Sequence, residues 1–198
     1  MVLPNLPNLT SLHILNCTKV DENAVLELIV HTPQLQSLAL TSYVSTLSCF
    51  PCHLVTHFPQ SISETVPEVV SPLPFLRHLA IDAHHRKSTK EAAFHQIMLE
   101  LSQSWSCPLS SFSLKLSEKT TLSHAFIKEF IKAHRETLVH LSFRNCALTQ
   151  DSTMLMFRKC KALETLRMGV PVKEIVSHLT QRPPNVVRLL CRTAHSSI

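Results

Sequence analysis

The sequence predicts an α/β chain in which a short strand and a helix recur as one unit, stacked into a solenoid. Three observations predict it. A Leu-x-x-Leu-x-Leu pattern recurs six times in 198 residues, amphipathic segments fall between the recurrences, and glycine occurs once, as Gly169. The glycine count works by exclusion. Average usage of about 7% would place roughly fourteen in a chain of this length. Phosphate-cradling loops, Rossmann turns and tight I′ hairpins draw on the backbone freedom glycine supplies. Most nucleotide-dependent enzymes are thereby excluded.

The pattern starts at Leu9, Leu35, Leu76, Leu109, Leu138 and Leu163, with a degraded seventh copy, VVRLL, from Val186. Successive starts lie 26, 41, 33, 29, 25 and 23 residues apart. Within the units apolar residues alternate: Leu12 and Ile14, Leu38 and Leu40, Leu79 and Ile81, Phe112 and Leu114, Leu141 and Phe143, Leu166 and Met168. A period of two sends each pair to one face of a short strand. The leucine three residues ahead of each pair is expected in the same interior.

Helices are expected between the strands. Residues 21–32 open on Asp21 as N-cap and carry Ala24, Val25, Leu28 and Ile29 at helical spacing. Residues 88–105 begin with the capping box Ser88-x-x-Glu91. Residues 122–136 place Phe126, Ile127, Phe130 and Ile131 on one face, and 150–160 and 173–180 complete the set. Such a unit cannot bury its apolar face alone and must stack on its neighbours. Units of roughly 20–29 residues are the spacing of leucine-rich repeats. The two longest intervals call for insertions. The larger is a Pro/Ser/Thr-rich stretch at 42–75, while 182–198 holds the degraded last repeat and a tail. The expectation is a single leucine-rich-repeat domain over 1–198, of six to seven irregular units.

Two stretches, LTSLHILNCTKVDENAVLELI from Leu9 and LVHLSFRNCALTQDSTMLMFRKCKALETLRM from Leu138, carry a resemblance. They are similar to the ribonuclease-inhibitor-like leucine-rich repeats of F-box proteins, fungal ones in particular, over most of residues 6–180. Asn16-Cys17 and Asn145-Cys146 follow the first and fifth strands, where such repeats use a small polar residue to satisfy turning backbone. The resemblance implies a curved horseshoe and a non-enzymatic role, the recruitment of substrates to a cullin-based ubiquitin ligase. It brings no catalytic residues. The first unit begins at Leu9, which leaves no room for a three-helix F-box ahead of it. The F-box is therefore expected to be absent, docking to a ligase adaptor is not expected, and the sequence reads as truncated at its N-terminus. The alternative is a structural or regulatory repeat protein unrelated to ubiquitin ligases.

Cysteine usage and charge narrow the setting. Seven scattered cysteines make no disulfide framework, which points to the reducing cytoplasm or nucleus. No apolar run reaches the roughly 18–20 residues of a spanning helix, so no membrane partner is expected. Cys49, Cys52, His53 and His57 crowd into the 42–75 insertion. Two thiolates and two imidazoles are a valid zinc set, and Cys-x-x-Cys-His is also the haem c attachment spacing. Four ligands within nine residues would make a strained clasp. The expectation is a loop without chemistry, with no metal or cofactor; a small zinc protein is the lesser alternative. His84-His85-Arg86-Lys87 reads as a solvated turn. No Gly-x-Ser-x-Gly elbow can be built without glycine. Tyr43 and Trp105, the only Tyr and Trp, are too few to stack bases, so nucleic acid is not an expected partner.

The net charge of +5 is uneven. Residues 1–76 hold one basic residue, Lys19, against five acidic ones, whereas 77–198 hold eighteen against nine. Stacked in register, the fifth position of each unit gives His13, Ala39, Ala80, Ser113, Ser142 and Arg167. The seventh gives Leu15, Thr41, Asp82, Lys115, Arg144 and Gly169. Lys115, Arg144 and Arg167, with His140 and Ser142 beside them, are expected to form a basic patch that meets an acidic segment of a protein partner.

Overall fold

In the computed structural model, the described residues are 6–15, 28, 31–43, 73–84, 107–168 and 188–191. They build one sheet of seven strands: β1 (Ser11–Ile14), β2 (Ser37–Tyr43), β3 (His78–His84), β4 (Ser111–Thr121), β5 (His140–Ala147), β6 (Thr165–Met168) and β7 (Arg188–Cys191). The strands lie side by side in sequence order, and all six pairings are parallel. Two helices are described, α1 (His124–His134) between β4 and β5, and α2 (Gln150–Lys159) between β5 and β6.

Along the fourth- and sixth-position rows the register follows the sequence pattern. Leu12, Leu38, Leu79, Phe112, Leu141, Leu166 and Leu189 are successive partners across the sheet. Ile14, Leu40, Ile81, Leu114, Phe143, Met168 and Cys191 form the next such row. The degraded copy at Val186 thus contributes a strand in the same frame. Backbone bonding repeats as well. The carbonyls of Thr10, Gln36, Arg77, Ser110 and Val139 each accept two N–H groups from the following unit, at 2.8–3.1 Å. Each strand is entered through a turn in which the first leucine of the pattern donates its N–H to a residue two to four positions back. Those acceptors are Leu6, Thr32, Leu73, Cys107, His134 and Cys160. Such recurrence is what identical local sequence enforces, since the same side chains must turn, align and bury in every unit.

The core lies on one face of this sheet. Leu35, Leu76, Leu109, Leu138 and Leu163, the opening leucines of five units, are completely buried. α1 follows Ser123, whose side chain caps it by accepting from the Phe126 N–H. It turns Phe126, Ile127, Phe130, Ile131 and His134 inward, the expected face with one histidine added. Phe130 meets Phe112 with ring centroids 4.7 Å apart, and Phe112 meets Phe143 edge-on at 6.2 Å. α2, capped by Thr149, adds Met156 to the same core. Of the other expected helices, residues 88–105 and 173–180 lie outside the described residues; of 21–32, Leu28 is helical, while His31 and Thr32 already form the turn into β2, so the helix ends short of the expected Thr32. Most of 42–75 and of 182–198 likewise lies outside them.

Two local features differ from the expectation. β4 runs on to Thr121, and its pairing with β5 breaks between Lys115 and Thr120, where Leu116 to Lys119 stand opposite Asn145 alone. Asn145 sits inside β5 rather than after it, at φ 57°, the one positive-φ residue described other than glycine. Its side-chain amide donates to the Leu116 carbonyl at 2.8 Å. Asparagine tolerates the left-handed region better than other residues with a Cβ, so one side chain supplies both the bend and the bond that closes the bulge. Asn145→Ala is expected to cost about 2 kcal/mol, the sum of a left-handed penalty and a lost hydrogen bond. Asn145→Gly, which loses the bond alone, should cost about 1 kcal/mol. Urea unfolding of the pair checks the order.

Candidate docking face

Fourth- and sixth-position residues fill the core, so the pleat turns the third, fifth and seventh positions to the opposite face. None of the described side chains in those three rows is buried. Parallel sheets ordinarily have both faces covered. Here the second face carries mostly Ser, Thr, Ala, His and charged residues, with Leu15 just past β1 and Leu190 at its register position on β7 rather than a continuous apolar stripe. Ala39, Ala80, Ser113 and Ser142 run along its middle as register partners on β2 to β5.

All five expected site residues fall on this face. Lys115 and Arg144 are direct partners on β4 and β5, Ser142 and Arg167 on β5 and β6, and His140 pairs with Thr165. Neighbouring strands in a sheet lie about 4.8 Å apart. Their charges are not equivalent. Lys115 donates from Nζ to Asp82 Oδ2 at 2.6 Å, across from β4 to β3, with the two side chains 45% and 26% exposed. Its positive charge is therefore largely compensated. Arg144 and Arg167 are exposed and make no ion pair among the described residues. The uncompensated charge of the patch thus moves to β5 and β6. Asp82 already stands beside Lys115 in the seventh-position row of the sequence, but whether the two side chains meet depends on their reach between β3 and β4.

Three of the described cysteines are free thiols, all buried. Burial pushes the thiols of Cys107, Cys146 and Cys160 up to about 11, 12 and 11, with the charge of Glu136 adding to the effect at Cys160 and that of Arg77 opposing it at Cys107. A buried thiol held protonated is a poor nucleophile. In the native protein at neutral pH these three should alkylate at least on the order of 100-fold more slowly than in urea, as peptide mapping after iodoacetamide would measure. Among the described residues no group of three or more His, Cys, Asp or Glu could hold a metal ion. Cys49, Cys52, His53 and His57 lie outside the described residues, as do His85, Arg86 and Lys87 of the expected turn. His124 and Ser152 do meet, Nδ1 to Oγ at 2.9 Å. Ser152 is completely buried and also bonded to Thr149 Oγ1 at 2.8 Å, which makes the trio a staple between the starts of α1 and α2. Among the described residues, no helix is long and apolar enough to cross a membrane.

No protein-family model matches the chain, and no curated protein matches its sequence. The functional reading therefore rests on the geometry.

Proposed function

We propose that this chain is a leucine-rich-repeat solenoid acting as a non-enzymatic protein-recognition module, with the polar face of its sheet as the binding surface. One observation carries the reading: seven parallel strands stacked in sequence order, joined by the same carbonyl bonding from unit to unit, with helices packed on one face while the described rows of the other stay uncovered. A stack that grows in one direction with a constant unit is a solenoid, and helices wider than strands on one side curve it toward the strands. The inner surface then presents third-, fifth- and seventh-position side chains in columns. The resemblance of the repeats to those of F-box proteins supports a role like that of the substrate-receptor subunits of ubiquitin ligases; a structural or regulatory repeat protein unrelated to them would use the same surface. No cofactor is required, and a reducing compartment, cytoplasm or nucleus, suits the free thiols of Cys107, Cys146 and Cys160.

The test is obstruction. Ser113→Trp fills the middle of the polar face without changing charge, and Lys128→Trp places the same bulk on the exposed side of α1. Capture of interacting proteins from cell extract should be lost with the first variant and retained with the second. Loss with Lys128→Trp alone would move the binding surface to the helices and defeat the reading.

A further inference from the structure

Resting on the polar face as the binding surface, we infer that its occupant is an acidic protein segment, seated over β5 and β6, because the Asp82–Lys115 pair leaves the β3–β4 end close to neutral. Three ion pairs join described residues: Lys115 with Asp82, Lys132 with Glu129, and Arg135 with Glu136. Arg144 and Arg167 enter none of them, although both are exposed and lie on the same face of adjacent strands. A guanidinium presents a planar fork of donors that matches a carboxylate, and two of them on neighbouring strands make a site for more than one acidic side chain. Ser142 is the register partner of Arg167 and lies two residues before Arg144, so a small side chain separates the forks and lets a backbone approach. His140, exposed on the same strand, adds a ring nitrogen donor.

Asp82 marks where the positive patch ends. Among the described residues it is the only acidic one in the third-, fifth- and seventh-position rows. Its pairing with Lys115 at 2.6 Å leaves that end of the face close to neutral, with little pull on a carboxylate. The acidic part of the segment therefore sits over Arg144 and Arg167, its uncharged part runs along Ser113 and Ala80, and Lys115 contributes less than its place in the patch suggests.

The probe is a fluorescein-labelled oligoglutamate peptide, titrated with the full chain at low ionic strength and followed by anisotropy. Arg144→Glu with Arg167→Glu should weaken binding by roughly tenfold or more, and Lys115→Ala by less than about threefold. Asp82→Asn, which frees the charge of Lys115, should tighten it by about threefold. Should charge reversal disturb folding, Arg144→Gln with Arg167→Gln carries the same test. Unchanged affinity in the double variant would overturn the inference, as would an equal loss in Lys128→Glu with Lys159→Glu on the helices. So would oligothymidylate of equal charge binding about tenfold more tightly than the peptide, the result expected of a nucleic-acid occupant. The two readings fail separately. If Ser113→Trp abolishes capture from extract while the arginine variant binds oligoglutamate as well as the natural chain, recognition stands and the acidic occupant falls. If Ser113→Trp leaves capture intact, the recognition reading itself falls.

Discussion

Phe130→Ala is expected to remove roughly 3–5 kcal/mol of stability, the range for truncating a buried aromatic side chain. Phe130 is 3% exposed and joins the helix layer to the sheet, with ring centroids 4.7 Å from Phe112, 5.8 Å from Phe126 and 4.9 Å from His134. Removing the ring leaves a void among groups already fixed by strand register, so the site has little freedom to collapse. Against a typical total of about 5–15 kcal/mol, the loss could leave the chain largely unfolded. Urea unfolding monitored by circular dichroism measures it, with Lys128→Ala on the exposed side of α1 as control, expected within about 0.5 kcal/mol of the natural chain. A Phe130→Ala midpoint equal to that of the control would mean that α1 does not pack on the sheet as described.

The second large effect is on pH dependence. His134 is 1% exposed, and neither ring nitrogen has a hydrogen-bond partner. Burial lowers its pKa from 6.5 to about 4, and the nearby Cys107 backbone opposes this only in part. The unfolded chain takes up a proton near pH 6.5 that the folded chain resists until about pH 4. The stability from keeping this imidazole neutral is thus fully present above about pH 6.5 and is lost as pH falls toward 4. At about 1.4 kcal/mol per pKa unit, the loss across that window is on the order of 3 kcal/mol. The repeat suggests the variant. The His134 carbonyl accepts from the leading leucine four residues on, a role that Leu73 plays two units earlier from three residues before Leu76, so a turn of this kind accommodates a buried apolar side chain. His134→Leu should therefore fold, remove two unpartnered buried nitrogens, and flatten the stability profile between pH 6.5 and 4. Unfolding midpoints at several pH values check this; parallel profiles for the two proteins would assign the acid sensitivity elsewhere.

The strands were legible because two periodicities agree on them. Alternation picks out the pairs Leu12/Ile14 to Leu166/Met168, and the repeat interval then aligns them, so strand, register and buried face follow from one pattern. α1 was legible for the same reason, through Phe126, Ile127, Phe130 and Ile131 at helical spacing. The continuation of β4 through Ser117-Glu118-Lys119-Thr120-Thr121 was not. Those residues are polar, and their pairing with β5 depends on Asn145 bending the neighbouring strand, a tertiary event that leaves no period in the sequence. His134 was hidden differently. It falls at the end of the apolar stripe of α1, but a histidine there reads as a basic residue at a helix C-terminus until burial is known.

The shared face of the five candidate residues was legible in the sequence, while the pairing of one of their charges was not. Lys115, His140, Ser142, Arg144 and Arg167 share one face because alternate residues must. The compensation of Lys115 by Asp82 turns on side-chain reach between β3 and β4, a distance that residue counting along the chain does not supply. Moving the uncompensated charge to Arg144 and Arg167 narrows the surface on which a partner's acidic residues would be sought.

The most direct measurement is photo-crosslinking from the polar face. A benzophenone amino acid in place of Ser113 should form an adduct with a captured partner, whereas the same group in place of Lys128 should not. Crosslinking from Lys128 and not from Ser113 would contradict the account, because partners would then meet the helices and leave the uncovered face of the sheet without a role.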